Sequence, residues 1–275
     1  MQQSKIEFRK VRDFGGILNV TFEYIKINFK LLVKANLFIS APSLLLAGVF
    51  MGIYQSSMFS LSADSTLELI GIPFVISMFF TFISYLLITV VTYSHLINYK
   101  NSDNGIFNLE DVWRVVKQNF LPITLTIIGY IIFIVLGFVF LIIPGIYLSI
   151  AMSIIFIVRL EENLSFFDAV RRCTKLISGH WWFTFGVLFV VSMIQGFLTY
   201  ALYMPSYFVM IFVSFTGINS ESSGLERFLY ILTAIISSFA VLLYMISIIA
   251  TTFQYYNLVE RKEAPGLLEQ IDQIK

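Results

Sequence analysis

Long apolar runs alternate along this chain with short stretches that carry nearly all of its charge. Residues 35–54 and then 69–96 contain no Asp, Glu, Lys or Arg. At ~1.5 Å of rise per residue, each run is long enough as a helix to cross a hydrocarbon core of ~30 Å. Residues 120–158 are uncharged throughout, too long for one crossing, and Ile143-Pro144-Gly145 supplies the turn that divides them into two spans. A fifth span is expected over 181–204, closed by Pro205, and a sixth over 229–255. The apolar piece between them, 207–215, is too short to cross and is expected to lie at the interface or to be re-entrant. The pattern predicts an all-α, polytopic membrane protein of six transmembrane helices arranged as three helical hairpins.

The polar stretches between the runs are themselves patterned. Residues 1–34 carry seven basic side chains, with Phe14, Ile17, Leu18, Phe22, Ile25, Phe29 and Leu32 at roughly helical spacing. An amphipathic helix on an anionic surface fits that arrangement. Residues 99–119 repeat it, with Leu109, Val112, Trp113 and Val116 beside Glu110, Asp111, Arg114 and Lys117. In 159–182, Asp168, Arg171, Arg172 and Lys175 share one face of a helix, while Phe166, Phe167, Val170, Cys173 and Ile177 point elsewhere. Ser165 with Asp168 resembles a capping box, and Gly179 is placed to stop the helix. Three units of surface helix followed by helical hairpin account for the chain: an amphipathic segment at 1–34, a transmembrane domain at 35–256 and a polar tail at 257–275. In the tail, Leu267, Leu268, Ile271 and Ile274 predict one more small amphipathic helix.

Composition agrees and narrows the function. Apolar residues make up 58% of the chain, charged ones 13%, and the mean hydropathy is +0.84, a membrane composition. A net charge of +1 gives no concentrated basic face for nucleic acid. With six spans, Arg227 alone among the basic residues falls on one side, so the positive-inside rule places both termini in the cytoplasm. No cleavable signal peptide is recognised near the N-terminus. One cysteine, Cys173, and two histidines, His95 and His180, supply too few ligands for a metal centre. No metal and no cofactor is expected. Both histidines are expected to be solvated at the inner interface, and Cys173 to serve as a topology reporter that reacts with a maleimide only after lysis.

Residues Ile142 to Tyr147, a short span, Glu161 or Glu162, Ser165, Ala169, Arg171 to Thr174, Leu176, Gly179 and Trp181 together resemble the membrane domain attached to some bacterial glycerophosphoryl diester phosphodiesterases and to related stand-alone membrane proteins. The resemblance covers roughly 140–195. It implies a membrane fold in a bacterial inner membrane, without the catalysis, which in that family belongs to a separate soluble barrel.

Candidate chemistry is sparse. No ionisable group but His95 falls within the predicted spans, which disfavours a proton-coupled pump or an intramembrane acid–base enzyme. Ser192, Gln195, Gly196 and Thr199 share a polar face of the fifth span; they line a lipid-facing cavity or, more plainly, serve interhelical hydrogen bonding and close packing. Ser77, Thr81 and Ser84, and Thr233, Ser237 and Ser247, carry the plainer expectation. Gly145, Ser149 and Ser153 are spaced for close helix approach. Glu161 and Glu162 are expected to pair with Arg159 or to cap the next helix. Arg171, Arg172 and Lys175, with Trp181 and Trp182, are the candidates for binding anionic lipid head groups or a protein partner. The reading is a non-enzymatic scaffold or subunit of a membrane assembly; the alternative is a permease-like or lipid-handling protein.

Overall fold

A computed structural model describes residues 5–59, 67–102, 104–140, 142–216 and 224–264. Among them the regular structure is helical, without strands: α1 (Phe14–Phe59), α2 (Leu67–Asn101), α3 (Leu109–Phe140), α4 (Ile142–Ala151), α5 (Ile155–Glu162), α6 (Phe166–Ile177), α7 (Trp181–Thr216), α8 (Gly224–Ser238) and α9 (Tyr244–Glu263). Single 3-10 segments join α4 to α5 and α8 to α9. Six helices are long and apolar enough to cross a membrane: α1, α2, α3, α4 with α5, α7, and α8 with α9. The chain is an all-α, multi-pass membrane protein. Contacts pair α1 with α2, α3 with α4 and α7 with α8, the three expected hairpins.

Two compact units divide the described residues. The first draws on Met1–Ala35, Thr89–Ser192 and Met245–Lys275, the second on Asn36–Ile88 and Met193–Tyr244. In the second unit each of the four helical segments is about 21 to 24 residues long, or roughly 31–36 Å, one hydrocarbon thickness. Small residues bring its helices together. A Cβ added at Gly48 would lie 2.5 Å from the Ile235 Cα, and one at Gly52 2.4 Å from the Ile231 Cα, so α1 and α8 touch backbone to backbone. This is a G-x-x-x-G contact, a signal present in the sequence and overlooked in the reading of the first span. Hydroxyls add Ser43 to Ser84 at 2.8 Å, Ser77 to the Ala47 carbonyl at 2.9 Å and Ser206 to Ser237 at 2.8 Å. For Ser77, Ser84 and Ser237 the interhelical role is the one the structure displays.

Several expectations are corrected. α7 runs without a break through Pro205 to Thr216, so 207–215 is neither a separate interfacial piece nor re-entrant; a proline in an apolar helix is tolerated where its surroundings satisfy the freed carbonyl. The amphipathic N-terminal stretch is likewise continuous with the first span in α1. Of its apolar stripe, Ile17 and Leu32 are buried within the protein, whereas Phe22 and Phe29 remain exposed. The second amphipathic stretch forms the first turns of α3. Only the third, α6, is a helix of its own. The tail helix expected around Leu267 to Ile274 lies outside the described residues.

Candidate functional site: the α5–α6–α7 junction

Local signals build this junction, two of them, the Ser165 cap and the Gly179 stop, as the sequence predicts. Asn163 takes a left-handed backbone (φ 49°) and ends α5, a conformation that asparagine accepts more readily than most residues. Ser165 caps α6, its Oγ accepting from the Asp168 amide at 3.3 Å and lying 2.5 Å from Asp168 Oδ2. Gly179, at φ 80°, turns the chain out of α6 into α7, where a Cβ would be strained.

The charged face of α6 is divided between two surroundings. Arg172, placed with the outward cations by its position on the wheel, turns inward instead, its side chain only 17% exposed. Its Nε donates to both Glu162 oxygens at 2.9 and 2.8 Å, and its Nη2 to Glu263 Oε2 at 2.8 Å. These bonds, the one donated to Glu263 first, raise the guanidinium pKa above its ordinary value. Tyr255 adds a hydroxyl to Glu162 at 2.9 Å, and Lys100 pairs with Glu161. The two glutamates are thus paired, as expected, but by Lys100 and Arg172. Arg159 donates to Thr126 Oγ1 at 2.5 Å and to the Leu164 carbonyl at 3.3 Å. Arg171 stays outward, 84% exposed beside Asp168, and Lys175 is exposed as well.

Cys173 is fully buried, and burial pushes its thiol well above the ordinary range. It therefore cannot report topology, because maleimides react with an accessible thiolate. His95 is also fully buried rather than solvated, its Nδ1 2.7 Å from the Tyr24 hydroxyl. His180 is half-buried, with its Nδ1 enclosed and unbonded. Among the described residues no three potential metal ligands cluster.

Sequence reasoning missed α9 as the centre of the first unit. Residues 248–260 of α9, polar ones included, are all buried. Gln254 donates to Thr184 on α7 at 2.8 Å and accepts from Asn257 at 3.2 Å. Asn257 in turn accepts from the Arg12 amide at 2.8 Å, while Arg261 donates to the Arg12 carbonyl at 2.7 Å. Phe8, just before α1, sits among the rings of Tyr24, Tyr99, Phe253 and Tyr256. The polar sequence Gln254 to Asn257 inside a helical run carried the signal; it was read as the end of a span.

Trp181 and Trp182 begin α7 against α4. Trp181 stacks on Tyr147 with ring centres 5.9 Å apart, and its Nε1 donates to the Tyr147 carbonyl at 3.3 Å. Phe185 also stacks on Trp181, with ring centres 5.5 Å apart. Ile143, Ile146, Tyr147, Trp181 and Trp182 enclose an open apolar hollow of 380 Å³. Trp182 is 77% exposed. Ser192 is exposed and Gln195 and Thr199 half-buried, none of them lining a described hollow; nothing approaches Gly196 within 4 Å of an added Cβ. Close packing at Gly196 is therefore not found, whereas Gly145 does pack closely, an added Cβ meeting the Phe138 Cα at 3.1 Å. Ser149 and Ser153 bond their own helix carbonyls.

Compared with protein families, with curated proteins and with solved structures, the chain found no match.

Proposed function

We propose that the protein is a non-enzymatic scaffold or subunit of a membrane assembly, whose α6–α7 corner contacts anionic lipid head groups. The observation that carries this reading is the division of charge at the junction. Glu161, Glu162, Arg172 and Glu263 are engaged with one another and with Lys100 and Tyr255, an arrangement that rigidifies a fold. Arg171, Lys175 and Trp182 are turned outward, the residue types that favour a membrane surface. In the apolar stretch of α7 only 11% of the residues are buried within the chain, which leaves a broad face for lipid or a partner subunit. The uneven distribution of Lys and Arg supports cytoplasmic termini, and the resemblance over 140–195 supports a bacterial inner membrane.

A second reading, lipid handling, is favoured by the hollow beside Trp181 and Trp182. Purification in native lipid discs followed by mass spectrometry separates the two. A stoichiometric protein partner is expected; bound phospholipid without a partner would favour lipid handling, and neither would overturn both. Replacing Arg171 and Lys175 together with Gln should lower retention of anionic lipid severalfold while leaving Tm unchanged. Unchanged retention would remove the head-group role.

A further inference from the structure

We infer that α3 and α4–α5 form a hairpin lying in the plane of one leaflet, entering and leaving the membrane on the same side, while α1, α2, α7 and α8–α9 cross it. Length and apolar composition qualify all six helices as spans. Contacts inside the first unit set the direction of this hairpin.

The first contacts are at the two ends of α4–α5. The start of α7 and the end of α9 lie at one level, since Arg261 sits over the Phe183 ring and Gln254 bonds Thr184. Glu162, at the end of α5, meets that level through Tyr255, and through Arg172 to Glu263. Tyr147, near the start of α4, meets the same level by stacking on Trp181, the first residue of α7. Residues 147 and 162 are ~22 Å apart along a helical path. A rod of that length with both ends at the terminal turns of an α7–α9 pair runs across the pair, not alongside it.

The second set of contacts involves α6. Its first turn packs against the middle of the apolar part of α3: an added Cβ on Gly129 would touch the Phe166 ring at 2.6 Å, and Phe133 meets Phe166 and Phe167 at 5.7 and 6.3 Å between ring centres. If α3 crossed the bilayer from residue 120 onward, this level would be mid-membrane. Asp168 and Arg171, 55% and 84% exposed, would then face hydrocarbon, at ~2.5 to 3.5 kcal/mol for each central charge. With the hairpin in plane, the same contact leaves α6 at head-group depth. Ile131, Val135, Val139 and Ile143, all exposed, then enter the acyl chains of one leaflet. The partner is the bilayer itself. Removing two crossings together preserves the side on which every other segment falls, so the basic-residue asymmetry is unaffected.

Nitroxide depth measurements test this in the full-length chain carrying Cys173→Ala, reconstituted in phosphatidylcholine–phosphatidylglycerol vesicles. Leu125→Cys, Ile132→Cys and Val139→Cys are exposed positions on α3 spaced by sevens, hence on nearly one face. Collision with oxygen against a nickel chelate should return three depths within about 5 Å, one helical turn. The reference series Phe197→Cys, Met204→Cys and Ile211→Cys on α7, also exposed, should pass through a depth maximum. A maximum at Ile132, matching the α7 series, overturns the inference. Should one labelled variant fail to fold, Leu121→Cys, Ile128→Cys and Val135→Cys repeat the test on another face of α3.

Discussion

The two units of this protein hold themselves together by different chemistry. In the second, helices meet through glycine and serine: Gly48 and Gly52 against the α8 backbone, Ser43 on Ser84, Ser77 on a carbonyl. In the first, guanidinium, carboxylate, amide and phenol groups are buried against each other around α9. All ion pairs found among the described residues belong to the first unit. The difference follows from the solvent. Lipid tails are as apolar as leucine, so burying leucine between membrane helices gains little, and close approach with a few hydrogen bonds must supply the cohesion. Where head groups and water are within reach, aromatic and charged groups become useful in the interior, provided each is paired.

The sharpest way to break the second unit is to fill its contact. Gly48→Leu should cost ~3 kcal/mol or more, the upper end of overpacking, because backbone and not a flexible side chain opposes it. The comparison control is Gly196→Leu, with open space around it. Thermal unfolding in detergent should separate the two clearly; equal Tm values would mean that α1 and α8 do not pack closely. In the first unit, Arg172→Met leaves two carboxylates without their cation and should cost ~2–3 kcal/mol, somewhat below a fully buried pair. Adding Glu162→Gln and Glu263→Gln should restore much of that loss. A triple variant no more stable than the single one would reduce Arg172 to a packing residue. The smallest effect is expected at Ser77→Ala, ~0.6 kcal/mol, typical of an interhelical hydrogen bond in lipid; pulse proteolysis resolves a difference of that size.

Much of the fold was legible in sequence because hydropathy and punctuation are local. The six apolar helices, the Ser165 cap and the Gly179 stop were all read directly; the break between α3 and α4 was expected at Pro144 and Gly145, but α4 already begins at Ile142 and carries both in its first turn. Pro205 misled because a break in water is no break in a membrane helix. Lys26, Lys30 and Lys34 looked like the end of a surface helix, yet α1 continues past them, with Ile17, Tyr24 and Leu32 buried on one side. The candidate site was half legible. Position on a wheel grouped Arg172 with Arg171 and Lys175, but its orientation depends on Glu263, 91 residues away. His95 failed for the same reason: its partner, Tyr24, is 71 residues distant, and no local pattern announces such a meeting.

The contacts between the residues before α1 and the end of α9 also bear on synthesis. Arg12 and Asn257 are 245 positions apart, and Arg12 and Arg261 are 249. Phe8 waits for Phe253 and Tyr256, and Gln254 and Glu263 complete bonds offered by Thr184 and Arg172. A chain emerging from the ribosome at ~5–20 residues per second makes its α1–α2 hairpin early but cannot close this core until its final helix is out. For several seconds Arg172, though it can already pair with Glu162, lacks Glu263, and Phe8 lacks Phe253 and Tyr256. Shortening the chain before Asn257 would therefore leave a nearly complete set of membrane helices without the contacts that close the first unit.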